Sequence, residues 1–180
     1  MKLKHLIVLA AAAMLFTACG KDKPTPKNEL TWNEETRQVI SSVQIMQNGV
    51  YYISGWSEIE EGHDHPYFSF DCNIEAKDFN KTTDLTANLN TDQTYYLMYA
   101  NKFYSPEKHW YYNKNFSILS NEWAGFINET NYENTSIFKS GTMTITLDDE
   151  ALILSLDGVL KDNDAFSVDL YIPKANFIVR

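Results

Sequence analysis

At 180 residues the chain is long enough for one domain that buries roughly 70% of its unfolded surface, so neither disulfides nor structural metal are needed to hold it. Twenty-four acidic residues against 15 basic ones leave a formal charge of −9, which speaks against nucleic acid and against electrostatic docking on anionic lipid. Only two cysteines are present, at positions 19 and 72.

The chain opens with Lys2 and Lys4, followed by an Ala- and Leu-rich apolar run from Leu6 to Phe16. That run is shorter than the roughly 20 residues a bilayer span requires, and its charged start and small-residue end describe a secretory signal. It closes on Leu15-Phe16-Thr17-Ala18-Cys19-Gly20. This resembles the lipobox of bacterial lipoproteins, with Phe16 where the family usually carries Leu. The resemblance implies cleavage before Cys19, diacylation of its sulfur and acylation of the new amine, hence attachment to a membrane of the cell envelope, the outer membrane being the expected one. The other possibility is an ordinary secretory signal. Two or three acyl chains anchor stably where one does not. Loss of residues 1–18, with two lysines and no acids, takes the formal charge from −9 to −11.

Residues 19–28 are polar, with Pro24 and Pro26, and read as a flexible tether. From residue 29 onward no convincing helix appears; apolar residues alternate instead, between clusters of Asn, Asp and Gly. Val39–Gln47 and Val50–Trp56 flank Asn48-Gly49, a pair that favours a two-residue type I′ hairpin turn. Tyr67–Ile74 places Phe68, Phe70, Cys72 and Ile74 on one face, so Cys72 is expected as a buried, inert thiol. Thr94–Tyr99 follows, then a less regular stretch, 115–128, with Phe116, Ile118, Trp123 and Phe126 as core candidates. Phe138–Leu147, Ala151–Lys161 and the strand of Phe166, Val168, Leu170 and Ile172 are joined by the acidic turns Asp148-Asp149-Glu150 and Asp162-Asn163-Asp164. Gly158 is expected at a β-bulge. Pro173 ends that strand, and Asn176–Val179 offers a short edge strand. Residues 57–66 and 100–114 are expected as long loops.

Local turns between closely spaced strands predict an all-β protein, a single antiparallel β-sandwich domain over 29–180. The layout resembles a group of small Bacteroidetes lipoproteins of uncharacterised function, on Leu30-Thr31-Trp32, the Val39–Trp56 hairpin and the Gly141–Phe166 region. The resemblance implies a β-sandwich and brings no catalytic residues.

Two segments carry residues with chemistry. His63-Asp64-His65, amid Glu58, Glu60 and Glu61, puts two imidazoles two residues apart beside carboxylates, a pairing that suits a borderline metal such as zinc and equally a solvated acidic loop. Phe103, Tyr104, Trp110, Tyr111 and Tyr112 are expected to present rings from the second long loop, either to a glycan or to a protein partner, or else folded back as a lid. The acidic turns are expected to serve as turns. Hydrolase, phosphate-loop and metalloprotease motifs are missing, and no cofactor is expected. The function expected is a non-catalytic envelope lipoprotein that binds a glycan or protein partner. The alternatives are an assembly subunit pairing through its strand edges, and an enzyme without a familiar motif.

Overall fold

A computed structural model of the protein describes residues 27–86, 95–104, 108–113, 116–120 and 136–180. The expected signal, Cys19 and most of the expected tether, as well as Thr94, Trp123 and Phe126, lie outside the described residues. Twelve strands are present among them: β1 (Glu29–Trp32), β2 (Glu35–Ile45), β3 (Val50–Ser57), β4 (Phe68–Glu75), β5 (Lys81–Asp84), β6 (Tyr95–Lys102), β7 (Lys108–Asn113), β8 (Phe116–Ser120), β9 (Phe138–Leu147), β10 (Ala151–Leu160), β11 (Ala165–Pro173) and β12 (Phe177–Val179). The chain is all-β, and the pairing is antiparallel except where β12 runs parallel to β2.

The strands follow one path, β5-β9-β10-β11-β1-β2-β3-β4-β6-β7-β8. The all-β class expected from the sequence is what the structure shows, as this single sheet curled in the manner of a half-barrel. β2 is where it turns. Residues 35–38 pair with β1, and residues 39–45 pair with β3. One arm therefore carries β1, β11, β10, β9 and β5, the other β3, β4, β6, β7 and β8.

Alternation decides which side chains fill the space between the arms. On β10 Leu152, Leu154 and Leu156 are buried while Ile153, Ser155 and Asp157 are exposed; on β11 Phe166, Val168, Leu170 and Ile172 point inward. They meet Phe68, Phe70, Cys72 and Ile74 from β4. Five rings bridge the arms at one end. Phe166 packs edge-on to Trp32 at 5.1 Å and to Trp110 at 5.2 Å, and Trp110 also meets Phe138 at 5.5 Å and Phe70 at 6.2 Å. Cys72 is wholly buried and its burial pushes the thiol pKa up, away from the reactive thiolate.

Three local expectations are corrected. The β2–β3 turn is a three-residue loop. Gly49 N–H donates to Met46 C=O at 2.9 Å and Met46 N–H to Val50 C=O at 2.9 Å, and Gly49 alone has positive φ, at +80°. That is a type I turn followed by a left-handed residue rather than type I′. Gly158 is not the bulge. It lies in register opposite Gly141, and the register shifts one residue later, between Val159 and Leu160. Its missing Cβ makes room for the Phe138 ring, which would stand 2.8 Å away. Finally, residues 100–114 are not one loop, because β6 reaches Lys102 and Lys108–Asn113 pairs back on it as β7. The two acidic turns are turns as expected: Asp148 Oδ1 accepts from the amides of Glu150 and Ala151, and Asp162 Oδ1 from that of Asp164.

The half-barrel has two distinct ends. Residues 33–34, 58–67, 103–104 and 161–164 gather at one, the loop end. Residues 46–49, 76–80, 148–150 and 174–176 gather at the other, the turn end. β1 runs toward the loop end, with Trp32 opposite Glu35 and Phe166. Just before it, Asn28 is held between β2 and β11 by Ser41 Oγ, Val39 N–H and Tyr171 N–H. The chain therefore comes into β1 from the turn-end side. The loop end is stapled across the arms by Lys108, which lies between Asp162 and Asp164, while Asp164 also accepts from Trp32 Nε1 at 2.8 Å.

Candidate functional site

The loop after β3 and the one after β6, 39 residues apart in the chain, meet at the loop end. Glu60 C=O accepts from His63 N–H at 3.1 Å and closes a tight turn that swings the two histidines toward Phe103 and Tyr104. His63 packs on Tyr104 with ring centroids 4.0 Å apart, and His65 stacks on Phe103 at 5.3 Å. Tyr104 holds a left-handed backbone, φ 63°, which turns its phenol back on the other loop. Its hydroxyl donates to His65 C=O and accepts from His65 N–H at 3.0 Å. Phe103 N–H donates to Tyr67 C=O at 2.8 Å.

A charged collar fixes this cluster to β2. Tyr67 hydroxyl donates to Glu35 at 2.6 Å, and Lys102 pairs with the same carboxylate at 2.8 Å. These two donors, Lys102 first, hold the Glu35 carboxyl below the usual carboxylate range. Burial, with Glu35 adding to it, pushes the Tyr67 phenol up to about 12. Arg37 lies over the Tyr67 ring at 4.7 Å and pairs with Glu60 at 3.0 Å.

The fold thus unites parts of both segments singled out in the sequence, and separates others. His63, Asp64 and His65 are exposed, and Tyr104 is half-buried, so this group faces solvent. The imidazoles are engaged with rings, and among the described residues no group of three or more His, Cys, Asp or Glu side chains is placed to hold a metal ion. Phe103 and Trp110 do not present exposed rings. Phe103 is 5% exposed under His65, and Trp110 is fully buried among Phe70, Phe138 and Phe166. The reason is the strand. In β7, Trp110 takes an inward position opposite Ala100, whose small side chain leaves space for the indole. Tyr111 and Tyr112 belong to the same strand, and their side chains lie outside the described set. Exposed around this cluster, among the described residues, are His63, His65, Arg37, Ile59 at 56% and the carboxylates of Glu58, Glu60, Glu61 and Asp64.

A second polar group was not foreseen. On the outer face of β3, β4 and β6, Ser54 Oγ donates to the buried Asp71 carboxylate at 2.6 Å, and the hydroxyls of Tyr52 and Tyr99 meet at 3.3 Å beside it. Burial raises both phenol pKa values. No motif marks these residues. The only sequence signal is alternation, Tyr52-x-Ser54 opposite Asp71-x-Asn73, which reads as an ordinary solvated sheet face. The group ties three strands together and is largely closed to solvent, so the loop end is the better candidate for contact with another molecule.

The chain matches no protein-family model, no curated protein and no solved structure.

Proposed function

We propose that this chain is a cell-envelope lipoprotein, similar to the small Bacteroidetes group, anchored in the outer membrane through acylated Cys19. Its half-barrel is a non-catalytic binding module that offers the loop end to a partner protein. The observation that carries this is the loop cluster itself. His63, His65, Tyr104 and Tyr67 are locked by hydrogen bonds and ring contacts, so the surface is preorganised and little conformational entropy is lost on contact. Exposed Arg37 beside these rings is of a residue type enriched where binding energy concentrates, and Ile59 adds exposed apolar area. Glu58, Glu60, Glu61 and Asp64 favour a partner that brings basic side chains.

The direction of β1 supports the same conclusion. The tether joins at the turn-end side, so a membrane anchor there leaves the loop end facing away from the bilayer. Residues 19–28 reach at most ~30 Å when extended. A glycan ligand is the weaker choice, because burial of Trp110 and Phe103 removes the two flattest hydrophobic surfaces from the exposed set.

The test is affinity capture from envelope extract with the lipidated protein as bait, in parallel with Ile59→Asp and Arg37→Glu variants and a glycan array. A stoichiometric protein retained by the parent chain, lost by both variants at unchanged thermal stability, supports the proposal. Saturable glycan binding with no retained protein rejects the partner class. Absence of label from a fatty-acid precursor in the parent chain, or label that persists in Cys19→Ser, rejects the anchor.

A further inference from the structure

Among the described residues, apolar side chains stand exposed at the rim of the turn end, on both faces of β12. β12 lies parallel to β2 beyond the point where β1 has ended, and pairs only there, Phe177 to Val43 and Val179 to Ile45. Phe177 packs against the core, but Ile178 is 46% exposed and Val179 78%. Met46, 41% exposed, follows β2 directly. It lines an open concavity of about 330 Å³ with Gln47, Asn48 and Arg180. Arg180 N–H donates to Ile45 C=O, which pins the basic residue beside the apolar ones.

This patch sits at the end from which the chain comes into β1. Asn28, bonded to Ser41 and Tyr171, lies just before the β2 residues that β12 covers. A tether of eight residues between Cys19 and Asn28 keeps that end within ~30 Å of its anchor. Apolar side chains at the rim of such an end gain by entering the lipid interface. An arginine suits the level of the phosphates, where its stem lies along apolar surface and its head stays solvated.

We propose that Met46, Ile178 and Val179, with Arg180 at their edge, form a membrane-contact surface that seats the turn end of the half-barrel in the interfacial region of the bilayer. This rests on the anchoring of Cys19 proposed above. Asp148, Asp149 and Glu150 stand at the same end, where Lys174 N–H bonds Glu150 C=O, so the contact is apolar in character and does not require anionic lipid. Seating here fixes the orientation of the domain and directs the loop end outward.

The experiment uses the full lipidated chain in phosphatidylcholine vesicles. Val179→Cys carries an environment-sensitive fluorophore in one preparation, and Ile59→Cys, at the loop end, carries it in another; native Cys72 is buried and does not react. Lipids bearing a nitroxide near the headgroup act as quencher. The expected result is a blue-shifted emission at 179 and quenching several-fold stronger than at 59. Equal quenching at the two positions, in protein that floats with the vesicles, overturns the contact surface and leaves the anchor standing. A blue shift at 179 that grows with protein concentration and resists the quencher also overturns it, in favour of a second copy on the patch. Failure of the protein to float with vesicles overturns both.

Discussion

Replacing Trp110 with alanine removes the ring that joins the two arms of the half-barrel. The side chain is fully buried and touches Phe166 at 5.2 Å, Phe138 at 5.5 Å and Phe70 at 6.2 Å, each in an edge-on arrangement. Truncating a buried Trp to Ala costs ~3–5 kcal/mol from lost transfer energy plus the void left behind. Three ring pairs, each contributing ~0.5–1.5 kcal/mol beyond buried area, put this site at the upper end, about 4–5 kcal/mol. For a domain of this size that lowers Tm by ~8–20 °C. Urea unfolding followed by far-UV circular dichroism measures it without relying on tryptophan emission. Trp110→Phe should lose less than half as much, since it keeps a ring, and since Trp110 Nε1 has no hydrogen-bond partner among the described residues to forfeit. Ile153→Ala, at an exposed position, should stay within ~0.5 kcal/mol. A Trp110→Ala midpoint within ~1 kcal/mol of the parent chain would refute the core assignment and return this residue to the surface.

Other consequences follow from single contacts. In Gly141→Ala the new Cβ would stand 2.6 Å from Asp157 O and from Gly158 Cα, at φ +143°, so it should destabilise by ~3 kcal/mol or more; Gly158→Ala, without positive φ, meets the Phe138 ring at 2.8 Å and Ser140 O at 3.0 Å and should cost less, ~1–3 kcal/mol, and the reverse order in urea midpoints would contradict the pairing. His109 is buried, and burial lowers its pKa to about 4, so the unfolded chain takes up a proton below pH 6.5 that the folded chain refuses until about pH 4. Stability should therefore fall as pH drops across that window, and a His109→Gln variant that stays folded should lose part of this slope in pH-dependent urea titrations. Asp164→Ala strips Lys108 and Trp32 Nε1 of their shared acceptor and should cost ~1–3 kcal/mol, whereas Asp162→Ala removes one partner of Lys108 and the exposed acceptor of the Asp164 amide and should cost ~1 kcal/mol or less; equal losses would contradict a larger contribution from the Trp32 bond.

The strands from β9 to β11 are legible in the sequence because each has one buried and one solvated face. Met143 and Ile145 against Thr142 and Thr144 is the alternation expected of them. β7 escapes the same logic because its two faces are alike in burial: Trp110 enters the core while His109, on the opposite face, is 3% exposed. With no contrast between the faces, and Ser105-Pro106 preceding it, the segment reads as a loop. The hairpin at Asn48-Gly49 is placed correctly, but its loop length depends on the backbone of Gln47, which composition does not encode. The loop end is half legible. Imidazoles at 63 and 65 and rings at 103 and 104 are each visible, but their meeting depends on β4 lying between β3 and β6, a long-range pairing. Arg37 and Glu35 were invisible as part of that site, since nothing local distinguishes them from any other charged strand residues.

The most direct test of the binding-module proposal is a photo-crosslinking residue placed at position 59 in the full chain in intact cells, with position 153 as the reference. Contact through the loop end predicts one discrete crosslinked protein from position 59 and none from position 153. No product at 59, or the same products from both positions, would contradict it.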